Sequence, residues 1–369
     1  MIEVTKLMNI QTCTRCVMNN AADPYITFDE EGVCNYCKDA TAANEKLYFP
    51  GKDGEKRLLT LLEEVKNEGK DRDFDCLMGL SGGLDSSYLA YLGAEKWGLR
   101  IIAIHIDDGY DTEISTSNIR KLIGKTGIEL ITVSPDPEQF NALSLAYMKA
   151  GVPNLAVPQD NILFAEIFKF AKKNKIRNFL ARGNQALESI LQRGNSWDAY
   201  DLVNLRDIQR RFGQNSISKL SFISHYRRKW DEKIHRYRKL RPLNFIDYRR
   251  DVAYQELSDY CGFEYYGGKH LENYFTAFLQ RCWLPEKFNV DKRTSHLSSM
   301  IVSNQMTRDE ALHELNEPLY RDEYMEKVKN IICCNTGISR DELEQLIHCP
   351  GHQHTAYRVD PIIKMIHRR

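Results

Sequence analysis

Residues 74–91 read FDCLMGLSGGLDSSYLAY, and this stretch decides the fold. The short apolar run at 75–80 predicts a buried strand, the glycines at 82–83 predict a tight turn, and residues 86–97 predict a helix. Glycines let the backbone approach a ligand closely, and the first amides of a helix are unpaired. A strand, a glycine turn and a helix start in this order therefore predict an α/β domain with an anion-binding turn.

Strands and helices continue to alternate beyond this stretch. Strands are predicted at residues 100–106, 129–133 and 177–181, and helices at residues 114–124, 138–149, 160–173 and 185–191. This alternation predicts a doubly wound parallel sheet with right-handed crossovers. After about residue 195 the rhythm stops, and the rest looks mostly helical. We expect three parts: a zinc-ribbon module over 1–50, an α/β domain over 51–200 and a mostly helical substrate or partner domain over 201–369.

The composition is that of a globular protein without an overall basic charge. Lys and Arg number 51, and Asp and Glu also number 51, so the formal net charge is zero and a nucleic-acid partner is not expected. No apolar run is long enough to span a membrane. The first ten residues, MIEVTKLMNI, are too short and too polar for a secretory signal. We therefore expect a cytoplasmic protein without a membrane partner.

Four of the ten cysteines form a metal-binding pattern. Cys13 and Cys16 make one C-x2-C pair, and Cys34 and Cys37 make a second. Two such pairs at this interval can close a tetrahedron of thiolates, as in structural zinc sites. An iron–sulfur cluster also suits four thiolates and stays open as an alternative. The pattern predicts a structural Zn²⁺ site that staples the module and takes no part in catalysis.

The glycine turn offers ligands for a phosphate chain. The candidates are Ser81, Gly82, Gly83, Asp85, Ser86 and Ser87. Among them, Asp85 could cap the helix or hold Mg²⁺. A Walker A loop is not present, because the Gly124–Thr126 segment has Ile119 where that motif needs its first glycine. The Gly79–Gly83 segment fits the serine hydrolase elbow, but that elbow explains neither the residues after it nor the cysteines.

The turn resembles the pyrophosphate loop of the PP-loop ATP pyrophosphatases, a superfamily with a Rossmann-like sheet. The resemblance implies that ATP binds here with Mg²⁺ and is cleaved to AMP and pyrophosphate. Two further segments match the superfamily layout, HIDDGY at 105–110 and ARGN at 181–184. The resemblance places four of their residues beside the nucleotide, namely Asp107, Gly109, Gly183 and Asn184. The plainer interpretation of both segments is a strand-to-helix turn.

Blocks outside the loop resemble the N-acetyl sugar amidotransferases, PP-loop enzymes of bacterial surface-polysaccharide and flagellar-glycan pathways. These blocks lie at residues 13–18, 26–37, 266–276, 284–298 and 306–312. The resemblance implies that the acetamido group of an N-acetylated nucleotide sugar or nonulosonic acid becomes an acetamidino group through an adenylated imidate. It also implies that a separate glutaminase subunit supplies ammonia through a channel.

The same blocks contain candidate catalytic residues. Lys269, His270 and Glu272 would act with Asp85 in proton handling or sugar binding, although the plainer interpretation is a helix start with surface charges. A second pair of basic residues, Lys292 and Arg293, could bind the phosphates of pyrophosphate or of a nucleotide sugar, or could simply be solvated.

Several interpretations stay open. The basic, aromatic stretch 227–241 could be an amphipathic helix, a phosphate-binding groove, an RNA patch or a docking surface. A second metal site or an ordinary tail would explain His348, Cys349, His352 and His354. A tRNA-thiolating PP-loop enzyme is one alternative function, and it requires a catalytic cysteine pair outside the zinc site. A non-catalytic nucleotide-binding scaffold is the other.

Overall fold

The computed structural model describes residues 10–21 and 23–366, and its centre is a five-stranded parallel sheet. Residues 1–9, which carry most of the segment tested for a secretory signal, lie outside the described residues. The strands are β1 (Cys76–Gly79), β2 (Ile101–Ile106), β3 (Glu129–Val133), β4 (Asn178–Leu180) and β5 (Arg238–Leu240). Their order is β3-β2-β1-β4-β5, and every neighbouring pair is parallel.

Helices cover the sheet and make up most of the chain after residue 200. Within the described ranges they are α1 (Asn35–Leu47), α2 (Lys52–Gly69), α3 (Leu84–Tyr91), α4 (Glu113–Thr126), α5 (Pro137–Ala150), α6 (Val157–Asn174), α7 (Gln185–Glu188), α8 (Leu202–Phe212), α9 (His225–His235), α10 (Arg250–Cys261), α11 (Tyr274–Phe278), α12 (Leu284–Phe288), α13 (Arg293–Val302), α14 (Arg308–Asn316), α15 (Asp322–Thr336), α16 (Arg340–His348) and α17 (Pro361–Ile366). None of the described helices is long and apolar enough to cross a membrane.

Local sequence explains the boundaries of these elements. The helix α4, for example, begins where the Thr112 side chain accepts a hydrogen bond from the Ser115 amide. It ends at Gly127, whose φ of +65° is the left-handed conformation that glycine adopts without strain. The parallel strand order and the helices between the strands confirm the predicted α/β class with a doubly wound parallel sheet.

The strand order places the site. From β1 the chain adds β2 and β3 on one side and later β4 and β5 on the other, so the order reverses between β1 and β4. In such sheets a crevice opens at the carboxyl ends of the two strands that flank the reversal. The glycine turn at 81–83 leaves β1, and the turn at 181–184 leaves β4. The topology thus brings both predicted turns to one edge of the sheet.

The fifth strand corrects the expectation that the strand rhythm stops near residue 195. Strand β5 pairs with β4 from Asn178↔Arg238 to Leu180↔Leu240. Its sequence, RKL, is too short and too charged to be recognised as a strand. The basic stretch 227–241 accordingly contains most of α9 and this edge strand, instead of one helix.

Two large apolar cores hold the layers together. The first lies between the sheet and helices α2, α3 and α10. The second joins α5 to the carboxyl-terminal helices, with Phe140, Phe275 and Trp283 fully or almost fully buried. A smaller cluster around the four early cysteines packs on Ile190 and Val302. The amino-terminal module is therefore attached to the helical part of the chain.

Candidate functional site

The glycine turn has the shape of an anion cradle. Gly82 has a φ of +74°, and a Cβ added there would overlap the Ser115 carbonyl oxygen. A Cβ on Gly83 would stand 2.5 Å from Glu272 Oε1. Both positions thus need glycine for space, and Gly82 also needs it for conformation. Helix α3 begins directly after the turn, so its unpaired amides and positive dipole end face the same space.

The donors of the turn are only partly used. Ser81 Oγ donates to Glu272 Oε1 at 3.2 Å and lies 3.2 Å from Ser86 Oγ. The Leu84 amide donates to the Tyr266 hydroxyl at 2.8 Å. Within residues 81–87, three backbone amides have no hydrogen-bond acceptor among the described residues. They belong to Gly82, Asp85 and Ser86. Such free amides are suitable ligands for phosphate oxygens.

Side chains from residues 266–272 form the opposite wall of this cleft. Lys269 Nζ lies 3.5 Å from Asp85 Oδ2 and 2.9 Å from Glu188 Oε1. The ammonium donates no well-directed hydrogen bond, so its N–H groups are available to a ligand. Glu272 likewise has one buried oxygen without a partner among the described residues. His270, with a φ of +62°, also lines the cleft. The structure therefore brings together all four residues that were predicted to be catalytic.

Asp85 does not cap helix α3. One of its oxygens accepts a hydrogen bond from the Tyr248 hydroxyl, and the other pairs with Lys269. The cap position of α3 is Gly83, which makes no side-chain hydrogen bond. Asp85 is thus a carboxylate of the cleft, as a role in Mg²⁺ binding requires.

Residues that the sequence did not single out complete the cleft. Glu188 on α7 lies 3.3 Å from Arg182 and 3.7 Å from His270 Nε2. Burial raises the pKa of Glu188, but Lys269, His270 and Arg182 outweigh it and hold that pKa well below its ordinary value. Tyr248 and Tyr266 contact the loop directly. Arg182 and Tyr266 lie in the segments 181–184 and 266–276, so sequence reasoning could have identified them as site residues. Glu188 and Tyr248 lie in no such segment.

Further buried titratable side chains interact with the charges of the cleft. Burial lowers the pKa of Lys292 to about 8, with Glu188 opposing the shift. Burial and the Lys269 charge lower the pKa of His296 well below its ordinary value, while its Nδ1 lies 3.0 Å from the Leu187 carbonyl. Burial raises the pKa of Asp160 to about 6. The cleft thus has a mixed and partly neutralised charge, with several cations beside its carboxylates.

Some predicted ligands lie elsewhere. Arg293 uses its guanidinium on Asp291 and on three carbonyls at the end of α14, which leaves no N–H for a phosphate. Ser87 is fully buried inside α3. The side chain of Asn184 caps α7, and Gly183 lies near Glu188. Asp107 and Gly109 follow β2 at the same edge but do not line the cleft.

The four early cysteines converge on one point. Their sulfur atoms lie within 4.8 Å of one another, and the pairs Cys13–Cys37 and Cys16–Cys34 are 3.9 and 3.8 Å apart. Thiolates around a single zinc ion stand about 3.8 Å apart, because each Zn–S bond is about 2.3 Å. An iron–sulfur cluster divides the four cysteines between two or four iron atoms and would spread the sulfurs further. The donor set therefore fits one tetrahedral ion such as structural zinc.

The cysteine module supports the helix that carries His296. The Val17 amide donates to Ser298 on α13, and Arg308 donates to the carbonyls of Cys13 and Cys16. On its other side, α13 accepts the Ile190 amide through Ser299 Oγ at 3.0 Å. The ion site is thus linked through α13 to the segment around α7, which carries Glu188.

The remaining motifs do not form a second centre. Among the described residues, only the four early cysteines form a group of ligands close enough to share a metal ion. His354 is buried and stacks on Trp197. In the basic stretch, Arg227 and Arg238 pair with acidic groups, and Trp230 is exposed on α9.

Comparison with known proteins adds two findings. Residues 272–369 match the model "LPS biosynthesis protein WbpG-like, C-terminal domain". Glutamine-hydrolysing GMP synthases are 28% identical over 129 residues (Chlamydia muridarum; 34% of this chain, 24% of that protein) and 26% identical over 151 residues (Chlamydia caviae; 40% and 27%). A third, from Aliivibrio fischeri, is 25% identical over 189 residues, covering 49% of this chain and 35% of its own length. The chain thus spans about a quarter to a third of these relatives.

Similarity to solved structures is weak. An NMN synthetase from Francisella tularensis is 15% identical with a TM-score of 0.30, covering 59% of this chain and 98% of that one. An NAD⁺ synthetase from Burkholderia pseudomallei is 13% identical with a TM-score of 0.34, covering 81% and 95%. Such scores support no conclusion about this chain. The sequence comparisons show two similarities: part of the chain is similar to GMP synthases, and residues 272–369 are similar to the carboxyl-terminal domain of WbpG-like LPS biosynthesis proteins.

Proposed function

We propose that the protein is an ATP-dependent, AMP-forming amidotransferase that converts the acetamido group of a bacterial nucleotide sugar or nonulosonic acid into an acetamidino group. One observation carries the proposal. The free amides of the glycine turn face Lys269 and Glu272, and Glu272 begins the region similar to LPS biosynthesis proteins. A nucleotide-type cradle thus meets a wall that ends at Glu272, where the similarity to LPS biosynthesis proteins begins.

The cleft supplies the groups that ATP cleavage needs. The amides of Gly82, Asp85 and Ser86 would hold the pyrophosphate oxygens, and Lys269 and Arg182 would neutralise the charge that develops on departure. Mg²⁺, when bound, would supply further charge neutralisation, and Asp85 is the carboxylate positioned to hold it. Catalysis of the first step would consist mostly of positioning and electrostatics.

The acetamido carbonyl is a weak electrophile, and ATP activates it. The carbonyl oxygen attacks the α-phosphorus, the bond to pyrophosphate breaks, and an adenylated imidate forms. Ammonia then attacks the imidate carbon, the C–O bond to AMP breaks, and one proton leaves the new C–N group. The unpartnered Glu272 oxygen is the acceptor that we assign to this proton.

Ammonia must arrive as the free base, and we assign its supply to a separate glutaminase subunit. Similarity to glutamine-hydrolysing GMP synthases over part of their length supports this assignment. The alternatives lack matching groups. Among the described residues no cysteine lines the cleft, which disfavours a thiolation centre. Ser81 Oγ is hydrogen-bonded to Glu272 and Ser86 and, within the described part of the chain, to no histidine, which disfavours a serine hydrolase.

The test is mass spectrometry of reactions with ATP, Mg²⁺, ammonium and a panel of N-acetylated nucleotide sugars and nonulosonic acids. We expect AMP together with a sugar whose carbonyl oxygen has been replaced by nitrogen. Lys269→Met should abolish both products, whereas Lys169→Met, an exposed lysine on α6, should not. AMP with modified tRNA and no modified sugar would replace the proposal with the thiolation function. Nucleotide binding without AMP would leave only a scaffold.

A further inference from the structure

His105 is a buried histidine beneath the glycine turn, and none of the proposed roles uses it. It lies near the end of β2 and is 8% exposed. Its Nδ1 lies 2.9 Å from the Leu80 carbonyl oxygen, and its Nε2 lies 2.8 Å from Asp111 Oδ2. A carbonyl oxygen can only accept a hydrogen bond, so Nδ1 must carry a proton. A carboxylate at Nε2 requires a second proton there, because a lone pair would face a negative charge.

The geometry points to His105 as a positioning residue that acts as a fixed cation: we propose that its doubly protonated ring orients and polarises the first amide of the pyrophosphate loop. This proposal rests on the proposed function only in that the loop binds a phosphate chain. It names no further substrate.

Peptide planarity explains the orientation. The Leu80 carbonyl and the Ser81 amide belong to one trans peptide, so they point in opposite directions. His105 holds the carbonyl on the side of β2, and the Ser81 N–H is therefore directed into the loop. It lies there 3.3 Å from Ser86 Oγ, to which it donates. A charge-assisted bond at the carbonyl also polarises the peptide and strengthens the hydrogen bond from its N–H to Ser86 Oγ, beside the free amides of the turn.

Asp111 connects the same ring to the opposite wall of the cleft. It forms an isolated antiparallel bridge with Asn273, and the Thr112 amide donates to the Glu272 carbonyl at 3.0 Å. Glu272 in turn accepts the Ser81 hydroxyl. The His105–Asp111 pair is therefore part of a closed chain of hydrogen bonds that holds the loop and Glu272 in a fixed relative position.

The surrounding charges favour the cationic ring. Burial lowers the pKa of His105, but Asp111, the Leu80 carbonyl and Asp107 together outweigh it, so the net direction is upward from 6.5. The Leu80 carbonyl follows β1, and both acidic groups follow β2. Because the folded-state pKa is raised, the cation persists to a higher pH than in a free imidazole and is lost, with its effect, as the pH rises through that raised value.

The experiment combines histidine NMR with pyrophosphate binding on the full chain in the presence of Mg²⁺. His105→Asn keeps a donor near the Nδ1 position and removes the charge, and Asp111→Asn keeps an acceptor and removes the counter-charge. We expect a ring that titrates above 6.5 and pyrophosphate affinity that declines through the same pH range. His105→Asn should weaken binding about tenfold below the pH midpoint of the wild-type ring, and Asp111→Asn should move that midpoint downward. His313→Asn, an exposed position on α14, is the control.

Each arm has a result against the proposal. A ring that titrates below 6.5 would overturn the cationic state. An unshifted pH midpoint in Asp111→Asn would reduce His105 to a packing residue, whatever the loss of affinity. If the wild-type chain bound no pyrophosphate at any pH, the phosphate-binding loop and the proposed function would both fail. Normal pyrophosphate binding without AMP formation would overturn the proposed function alone.

Discussion

Lys269 and Glu188 form the central ion pair of the cleft, and a double-mutant cycle tests it. The side chains are 15% and 22% exposed, and the two charged atoms are 2.9 Å apart. At an effective dielectric constant of about 20, charges at this distance attract by about 6 kcal/mol. Desolvation offsets most of that attraction, so a net coupling of about 1–3 kcal/mol is expected.

The cycle compares Lys269→Met, Glu188→Gln and the double variant by urea unfolding at pH 7. Lys269→Met should cost about 2–4 kcal/mol, because Asp85 and Glu188 both lose their ammonium. Adding Glu188→Gln should recover part of that loss, although AMP formation should not return. The pair Lys169–Glu166, in which the lysine is 70% exposed, gives a control, with coupling below about 0.5 kcal/mol. Additive costs at Lys269 and Glu188 would refute the pair as the organising contact.

Three further predictions concern the loop, the ion and pH. Gly82→Ala should lower the free energy of unfolding, measured by urea titration, by about 2–4 kcal/mol, because φ is positive there and the new Cβ would overlap the Ser115 carbonyl. The control is Gly124→Ala inside α4, where the space is open, and this variant should be neutral or stabilising. Cys16→Ser should abolish bound zinc in elemental analysis and speed amide hydrogen exchange in α13; unchanged exchange would contradict the link between them. Burial raises the pKa of Asp108 from 3.8 to about 7, so stability should fall as the pH rises between those values, and Asp108→Asn should remove that slope in thermal melts.

Periodicity and turn chemistry were enough to predict the first four strands and the loop. The strand 129–133 has the predicted bounds, and the glycines at 82–83 stand where a cradle needs them. The edge strand β5 was missed because its three residues carry no apolar alternation and gain their register from β4. Local patterns do not contain such pairings, since only the folded chain brings the partner strand alongside.

Only part of the candidate site could be predicted, because some of its residues come together only in the folded chain. Lys269 and Glu272 were found because they follow a glycine pair in a recognisable block. Glu188 and Tyr248 reach the cleft only through the packing of α7 and the chain before α10, and no motif marks them. Arg293 is the opposite case. The sequence marked it as a candidate phosphate ligand, but its guanidinium binds Asp291 and the carbonyl groups at the end of α14.

The central claim is that the acetamido oxygen is activated by transfer to AMP. The most direct measurement uses a substrate labelled with ¹⁸O in the acetamido carbonyl, with ATP, Mg²⁺ and ammonium, and determines the mass of the AMP produced. If the acetamido oxygen attacks the α-phosphorus, one ¹⁸O atom should appear in AMP for each acetamidino group formed. Unlabelled AMP accompanied by labelled sugar would mean that ATP is cleaved without activating the amide, and that result would contradict the account.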